Sequence, residues 1–334
     1  MYFRRTIEKT IKKLSKFFPC LVIYGPRQVG KSTTVLELFS GRIPNVTLDD
    51  IADRSLANSN PKVFLDSYSY PLVIDEIQKA PVLLDEIKRR IDIKKQQWLK
   101  EDKPFELMYI LTGSNSFEIQ NSIADSLAGR VGIISMSSFD QKEKDQQEEN
   151  PFETDFVKLK EKEKNTKVKT KKEIFQSIFE GGMPEIVTGR GERDSYFKSY
   201  INSYIEKDVR KLLSATNELS FRNFIYYLVL RTSQEFHADE VGKDLGIDGR
   251  TIKRWISILE TSGIIYLLQP FMANASNRII KSPKLYFMDT GLCAYLCKWP
   301  TSEMLQNCAM SGAFFETYVV SEIIKNFINC CLPK

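Results

Sequence analysis

The eight residues Gly25-Pro26-Arg27-Gln28-Val29-Gly30-Lys31-Ser32 fit the spacing G-x-x-x-x-G-K-[ST]. They follow the apolar run Leu21–Tyr24 and open a stretch with helical pattern. That is the setting in which such a loop can hold phosphate. The glycines let the backbone curl so that its N–H groups converge on phosphate oxygens, and a helix beginning near Lys31 adds its positive end. Lys31 is expected to reach the β- and γ-phosphates and the Ser32 hydroxyl to ligate Mg²⁺, with Thr33 completing the loop. The ligand this chemistry implies is a nucleoside triphosphate, ATP before others, bound with Mg²⁺.

A second element is Leu72-Val73-Ile74-Asp75-Glu76, an apolar strand ending in adjacent acids. Alone, such a pair is a helix cap or a turn. Beside a phosphate loop, Asp75 is expected to hold Mg²⁺ directly or through water, and Glu76, facing differently, to polarise the attacking water. A third apolar run ends in Thr112-Gly113-Ser114-Asn115. There Ser114 either contacts the γ-phosphate or orients the water, or the tripeptide is simply a turn and helix cap. Arg130, just before a fifth apolar run, is either an arginine finger or the partner of a surface acid.

The elements that must position these residues follow from periodicity. Leu21–Tyr24, Val46–Leu48, Leu72–Ile74, Met108–Leu111 and Val131–Ser135 alternate with helical stretches, which predicts a five-stranded parallel sheet with helices on both faces. An amphipathic helix over 4–17, with Ile7, Ile11, Leu14 and Phe17 on one side, is expected to pack on that sheet domain rather than lie on a membrane. Residues 141–172 are rich in Lys, Glu, Asp and Gln and read as a solvated linker or exposed insertion, since they cannot bury enough surface to fold alone. Helices follow at 196–213 and 221–230. A short helix, the turn Gly246-Ile247-Asp248, a helix near Arg250–Thr261 and the run Ile264–Leu268 then give a winged helix-turn-helix pattern. A strand at Lys284–Met288 and a helix at 313–327 close the chain.

The 42% hydrophobic and 27% charged content is that of an ordinary globular chain, and no apolar run is long enough for a membrane span. With no signal-like apolar core at the N-terminus, the expected compartment is the cytoplasm. A net charge of +5 permits nucleic-acid contact without arguing for it. Six scattered cysteines and one histidine, His237, give no zinc spacing.

Together these motifs resemble the prokaryotic AAA-type ATP-binding proteins that carry a C-terminal domain of unknown function and are related to archaeal and STAND ATPases. The resemblance runs through Tyr24-GPRQVGKS-Thr33, Leu48-Asp49-Asp50, VIDEIQKAP, LTGS and SLAGR. It continues in GGMPEIV at 181–187, the helix around Tyr204-Ile205-Glu206-Lys207-Asp208, SPKLYFMDTGLCAYL and Gly312–Glu316. It implies an ASCE sheet, with the strand of the phosphate loop beside the strand of the third motif. It also implies a winged-helix module and a restriction-endonuclease-like C-terminal domain. Pro184, in Gly182-Met183-Pro184, resembles the G-x-P element through which the second module of STAND ATPases touches the nucleotide. The resulting division is an ATPase domain at 1–140, a linker at 141–172, a helical connector at 173–215, a winged helix at 216–272 and an incomplete nuclease-like domain at 273–334.

The departure from the family lies at the end. The resemblance implies further strands with an acidic pair and a Glu-x-Lys, which this sequence lacks. Asp289, Glu316 and Glu322 are the acids left, and the two glutamates, six apart, are expected to be helix-surface acids rather than a metal site. Phe314, Phe315, Tyr318, Val319 and Ile323 are expected to lack the sheet they would cover, leaving this segment weakly held.

The expected function is a slow ATPase acting as a nucleotide-dependent switch, with ATP and ADP as ligands, an unidentified protein partner, a possible homo-oligomer and no membrane. The alternative is a DNA-binding or DNA-remodelling ATPase, in which Lys243, Arg250, Lys253 and Arg254 would face phosphates. Trp255, Ile256, Ile258 and Leu259 on the same helix argue instead for packing on the protein. A non-hydrolysing scaffold is a further alternative, against which an intact Glu76 speaks.

Overall fold

The computed structural model describes residues 2–39, 41, 43–114, 126–148, 150–164, 166, 168–204, 218–271 and 282–331. The chain divides into two compact units. One is Tyr2–Ser137 with the residues from Ile328 onward, and the other is Ser138–Phe327.

The first unit is built on a five-stranded parallel sheet of β1 (Cys20–Gly25), β2 (Asn45–Thr47), β3 (Leu72–Asp75), β4 (Tyr109–Ser114) and β5 (Val131–Ser135), in the order β2-β3-β4-β1-β5. All of β4 and all but one residue of β1 are buried. This is why both read as continuous apolar runs rather than alternating ones. At the edge, β5 alternates between buried and open positions, leaving Ile133 52% exposed. The strand inserted between β1 and β3 is β4, the order expected of an ASCE sheet.

Helices cover the sheet because their apolar residues recur at helical spacing. In the helix Leu83–Lys100 the buried positions Leu84, Ile87, Ile91 and Trp98 fall on one stripe and join a core with Leu72, Ile74, Tyr109 and Leu111. Each such side chain contributes roughly 1.5–3 kcal/mol by leaving water. The N-terminal helix Ile7–Leu14 buries Ile7 and Ile11 completely, whereas Phe17 lies beyond its end and is exposed.

In the second unit a helix at Arg193–Tyr204 covers the described part of the stretch expected at 196–213, and a second runs over Glu218–Val229. Helices at Ala238–Leu245 and Gly249–Thr261 follow. The turn between them packs back on the first so closely that a Cβ on Gly242 would come 2.5 Å from the Ile247 carbonyl oxygen. Strands β6 (Gln234–Glu235), β7 (Ile265–Leu268) and β8 (Lys284–Phe287) make an antiparallel sheet in the order β6-β8-β7. Phe221, Phe224 and Trp255 form its aromatic core, with the Trp255 ring 5.3 Å from each phenylalanine. Helices at Thr290–Leu296 and Ser302–Asn307, and the helix Ser311–Asn329 as far as Phe327, complete the unit. Among the described residues no helix is long and apolar enough to cross a membrane.

Two expectations are corrected here. The segment opening at 141 is not solvated throughout. Asp140 and Glu143 form a capping box for the helix Gln141–Lys144, Glu143 is buried, and Lys144 Nζ donates to the Gly181 carbonyl at 3.0 Å. The last helix is also not a loose surface element. Phe314 is fully buried, Tyr318 is half-buried and donates to Gln141 Oε1 at 3.0 Å, while Phe315 and Val319 stay exposed.

Its acids are likewise tied down. Glu322 takes a 2.5 Å hydrogen bond from the Gln141 N–H and pairs with Lys325 at 3.3 Å. Lys325 is 3% exposed and also donates to the Phe139 carbonyl at 3.0 Å. Burial pushes the Glu322 carboxyl up, against the pull of Lys325. Burial alone would lower Lys325, but Glu322, Asp289 and Asp140 outweigh it and hold the ammonium charged. Glu316 is the partly exposed acid of the group, bonded to Lys284 and Tyr286. Asp289 is buried and accepts from the N–H groups of Gly182 and Leu292. The three are thus structural partners of separate neighbours.

Candidate nucleotide site

The loop at 25–32 joins β1 to the helix Lys31–Phe39. Gln28 at φ 60° and Gly30 at φ 90° are left-handed, giving the backbone reversals that an anion-binding nest requires. Gly25 is required by space, because a Cβ there would sit 2.0 Å from the Met136 carbonyl oxygen. Val29 points into the core, and its carbonyl accepts a 2.9 Å hydrogen bond from Arg5, a buried side chain that also donates to the Ser137 carbonyl at 2.8 Å. Arg5 therefore braces the loop from behind, a role with no signature in the sequence. Lys31 is 7% exposed, and its Nζ donates to the carbonyls of Gly25 at 3.0 Å and Pro26 at 2.7 Å. Its ammonium thus lies over the loop itself. Pro26 and Arg27 are half-buried, and Gln28 and Thr33 are exposed.

The C-terminal ends of β1, β3 and β4 bring the other motifs to this loop. Ser114 pairs in register with Gly25 and Thr112 with Ile23, so the third motif lies one strand from the loop. The Ser32 hydroxyl donates to Asp75 Oδ1 at 2.9 Å, and Thr112 donates to the same oxygen. A serine hydroxyl and a carboxylate side by side are the hard oxygen donors that Mg²⁺ prefers, so the residues present fit that ion.

Glu76 follows at φ 58°, ψ 44°, a left-handed conformation uncommon for a residue with a Cβ. It turns the chain out of β3 into the short 3₁₀ turn Ile77–Lys79. From that turn Gln78 Nε2 donates to Glu76 Oε2 and, at 3.0 Å, to the Ser114 hydroxyl, which is almost fully buried. Gln78 and Thr112 were both missed as site residues. Their only sequence signal is position, two residues after Glu76 for the first and two before Ser114 for the second.

Of the other residues singled out from the sequence, Arg130 is not brought to this loop, and Pro184 belongs to the other unit. Arg130 precedes Val131, which pairs with Cys20 at the start of β1, whereas the loop opens at Gly25, at its end. A strand of this length runs roughly 17 Å, so Arg130 lies at the opposite end of the strands from the loop. It makes a two-pronged pair with Asp92, at 2.6 and 3.0 Å, and donates to the Ala128 carbonyl at 2.8 Å. Arg130 holds the Asp92 carboxyl below its ordinary range, with burial opposing. Pro184 belongs to the Ser138–Phe327 unit, where it is the first residue of the short helix Pro184–Val187. The glycine before that turn, Gly182, donates its N–H to Asp289 at 2.9 Å. Asn115 lies outside the described residues, as do positions 205–208.

Residues 18–144 match the family described as AAA domain, and residues 171–303 match a domain of unknown function, DUF8612. An uncharacterized protein of Mycobacterium tuberculosis is 24% identical over 329 residues, and an uncharacterized Mycobacterium bovis protein gives the same figures. Both alignments cover 96% of this chain, which spans 65% of the length of either relative. Among solved structures, a Walker-type ATPase of Pyrococcus abyssi superposes with a TM-score of 0.52 at 14% identity. That superposition covers 88% of this chain and 96% of the other. Strand order, phosphate loop and superposition agree: the unit that carries the loop has the P-loop NTPase fold, and residues 18–144, of which 138–144 lie beyond it, are similar to the AAA domain family.

Proposed function

We propose that the protein hydrolyses ATP in a Mg²⁺-dependent reaction and uses the bound state of the nucleotide as a switch. The observation that carries this reading is the convergence of Asp75, Glu76, Thr112 and Ser114 from two adjacent strands on the loop containing Lys31 and Ser32. Ser32 and Asp75 would hold Mg²⁺, which when bound neutralises phosphate charge. Lys31 exchanges its loop carbonyls for β- and γ-phosphate oxygens. Glu76 takes the proton of a water whose oxygen bonds to the γ-phosphorus as the bond to the β-bridging oxygen breaks, releasing ADP and phosphate. Ser114 meets the γ-phosphate. An intact base argues against a purely non-hydrolysing scaffold. The ATPase reading further implies a cytoplasmic protein, with a partner that distinguishes the ATP from the ADP state.

The test is phosphate release by wild type and by Glu76→Gln, with ATP binding followed by calorimetry. The variant should bind ATP and turn over about 10²-fold or more slowly, the usual scale for a lost general base. Lys31→Ala should show no binding heat. Equal turnover in Glu76→Gln, or wild-type affinity in Lys31→Ala, would sink the assignment. Glu76→Gln held in ATP is also the bait for capturing the partner.

A second reading rests on the helices Ala238–Leu245 and Gly249–Thr261 with β7 and β8, which we interpret as a winged helix. Ile252, Trp255, Ile256 and Leu259 are buried, while Lys243, Arg250, Lys253 and Arg254 are exposed. That edge suits phosphate contacts. Binding to duplex DNA that weakens steeply with salt, and that Arg250→Ala/Lys253→Ala reduces, would favour it over the protein-switch reading.

A further inference from the structure

Gln78 has an arrangement that the motif chemistry does not account for. Its single amide nitrogen serves two acceptors on different elements, Glu76 at the end of β3 and Ser114 at the end of β4. Its carbonyl oxygen, Oε1, is buried and has no hydrogen-bond partner. The exchange of the two amide atoms would set an oxygen against the Glu76 carboxylate, so the donor orientation is the one the neighbours require. A buried carbonyl left unpaired costs about 1–3 kcal/mol. The amide is therefore oriented for the sake of its acceptors and not for its own satisfaction. The left-handed backbone of Glu76 is part of the same arrangement, because it folds the 3₁₀ turn back so that a side chain two residues later reaches the carboxylate.

We propose that Gln78 is a positioning residue for hydrolysis, one that locks the Glu76 carboxylate to the Ser114 hydroxyl so that base and phosphate contact are set as one unit. This rests on the reading of Glu76 as general base. A free glutamate side chain samples several rotamers, and a carboxylate fixed by a charge-assisted hydrogen bond samples few. Ser114 stands beside Gly25, so a γ-phosphate engaging its hydroxyl would be felt by the same amide that holds Glu76. The 3₁₀ turn thereby acts as the mechanical link between phosphate contact and base.

The experiment compares Gln78→Met, which keeps the length but has no donor, with wild type, Glu76→Gln and the double variant. Phosphate release and ATP affinity are measured for each. Gln78→Met should lower kcat on the order of tenfold or more while ATP affinity stays within about twofold, because the residue acts on the reaction and not on binding. The double variant should be no slower than Glu76→Gln, since a positioning residue has nothing left to position. Gln78→Glu keeps the shape, lacks the N–H groups and should lose kcat as Gln78→Met does, which guards against a packing defect peculiar to methionine. Unchanged kcat in both Gln78 variants would overturn the proposal, as would loss of affinity in step with rate. A rate loss that multiplies with that of Glu76→Gln would overturn it too, since Gln78 would then act independently. Slow Gln78 variants beside a fully active Glu76→Gln would instead defeat the general-base reading, and this proposal with it.

Discussion

Ser32 and Thr112 donate their hydroxyls to the same oxygen, Oδ1 of Asp75, the first from the loop helix and the second from β4. The carboxylate is thus oriented from two sides, and only Ser32 belongs to the phosphate loop. Thr112 is fully buried at a register position opposite Ile23, so its hydroxyl has no exchange with solvent. Thr112→Val keeps the shape and removes that donor. Loss of a group orienting a metal ligand typically weakens the metal by about 10–100-fold. The Mg²⁺ concentration needed for half-maximal ATP binding should rise accordingly, as read from calorimetric titrations at fixed ATP. An unchanged Mg²⁺ requirement would show that Ser32 alone orients Asp75.

Arg130 can reach a phosphate only in another copy of the chain, because it lies at the end of the strands away from the loop and is held by Asp92. Mixing Arg130→Ala with Lys31→Ala protein is expected to restore part of the ATPase activity if copies complete one another's sites. In a demonstrated oligomer, no recovery at any mixing ratio would leave Arg130 as the partner of Asp92 and nothing more. In that case Arg130→Ala alone should cost at most about 1 kcal/mol of stability, since both side chains are partly exposed.

Lys325 offers a stability test in the second unit. It is buried against Glu322 and the Phe139 carbonyl. Lys325→Met preserves the stem and strands the Glu322 charge, a change that costs about 3–5 kcal/mol for a buried pair. In a unit of this size that corresponds to a fall in melting temperature on the order of 10 °C. Adding Glu322→Gln should recover part of it, because the stranded charge is then removed. A melting temperature within about 2 °C of wild type would mean that water reaches Glu322 and replaces the lysine.

Glu86 gives the first unit a pH signature. The Arg89 guanidinium first, and Arg90 after it, hold its carboxyl down to about 2 against a smaller opposing effect of burial. Arg89 reaches both of its oxygens, at 2.6 and 2.7 Å. A carboxyl whose folded value lies below its unfolded one stabilises the protein at neutral pH. That contribution fades as pH falls from about 4.5 toward 2. Arg89 is half exposed, so water screens the pair and Glu86→Gln should cost only about 1 kcal/mol at pH 7. Urea denaturation at pH 7 and near pH 2 should show the difference between variant and wild type closing at the lower value. A gap of constant size would assign the loss to packing.

The sequence by itself determined the elements of the candidate nucleotide site, because each is a local statement. A loop of glycines ahead of Lys31-Ser32 and an apolar strand ending in Asp75-Glu76 carry their chemistry in adjacent residues. Buried parallel strands, in turn, announce themselves as unbroken apolar runs. That β1 lies beside β4 followed from the family resemblance rather than from the residues, and the full order β2-β3-β4-β1-β5 came only with the structure. What only the tertiary structure decided is which distant side chains share a partner. Gln78 meets Ser114 across 36 positions and Glu322 meets the Gln141 N–H across 181. Arg130 lies away from the loop because of strand register, which a one-dimensional pattern does not encode. The charged residues of the last helix looked like surface acids for the same reason: a helical period gives the face on which Glu322 lies, but whether that face meets water or Lys325 and the Gln141 N–H depends on what the rest of the chain packs against it.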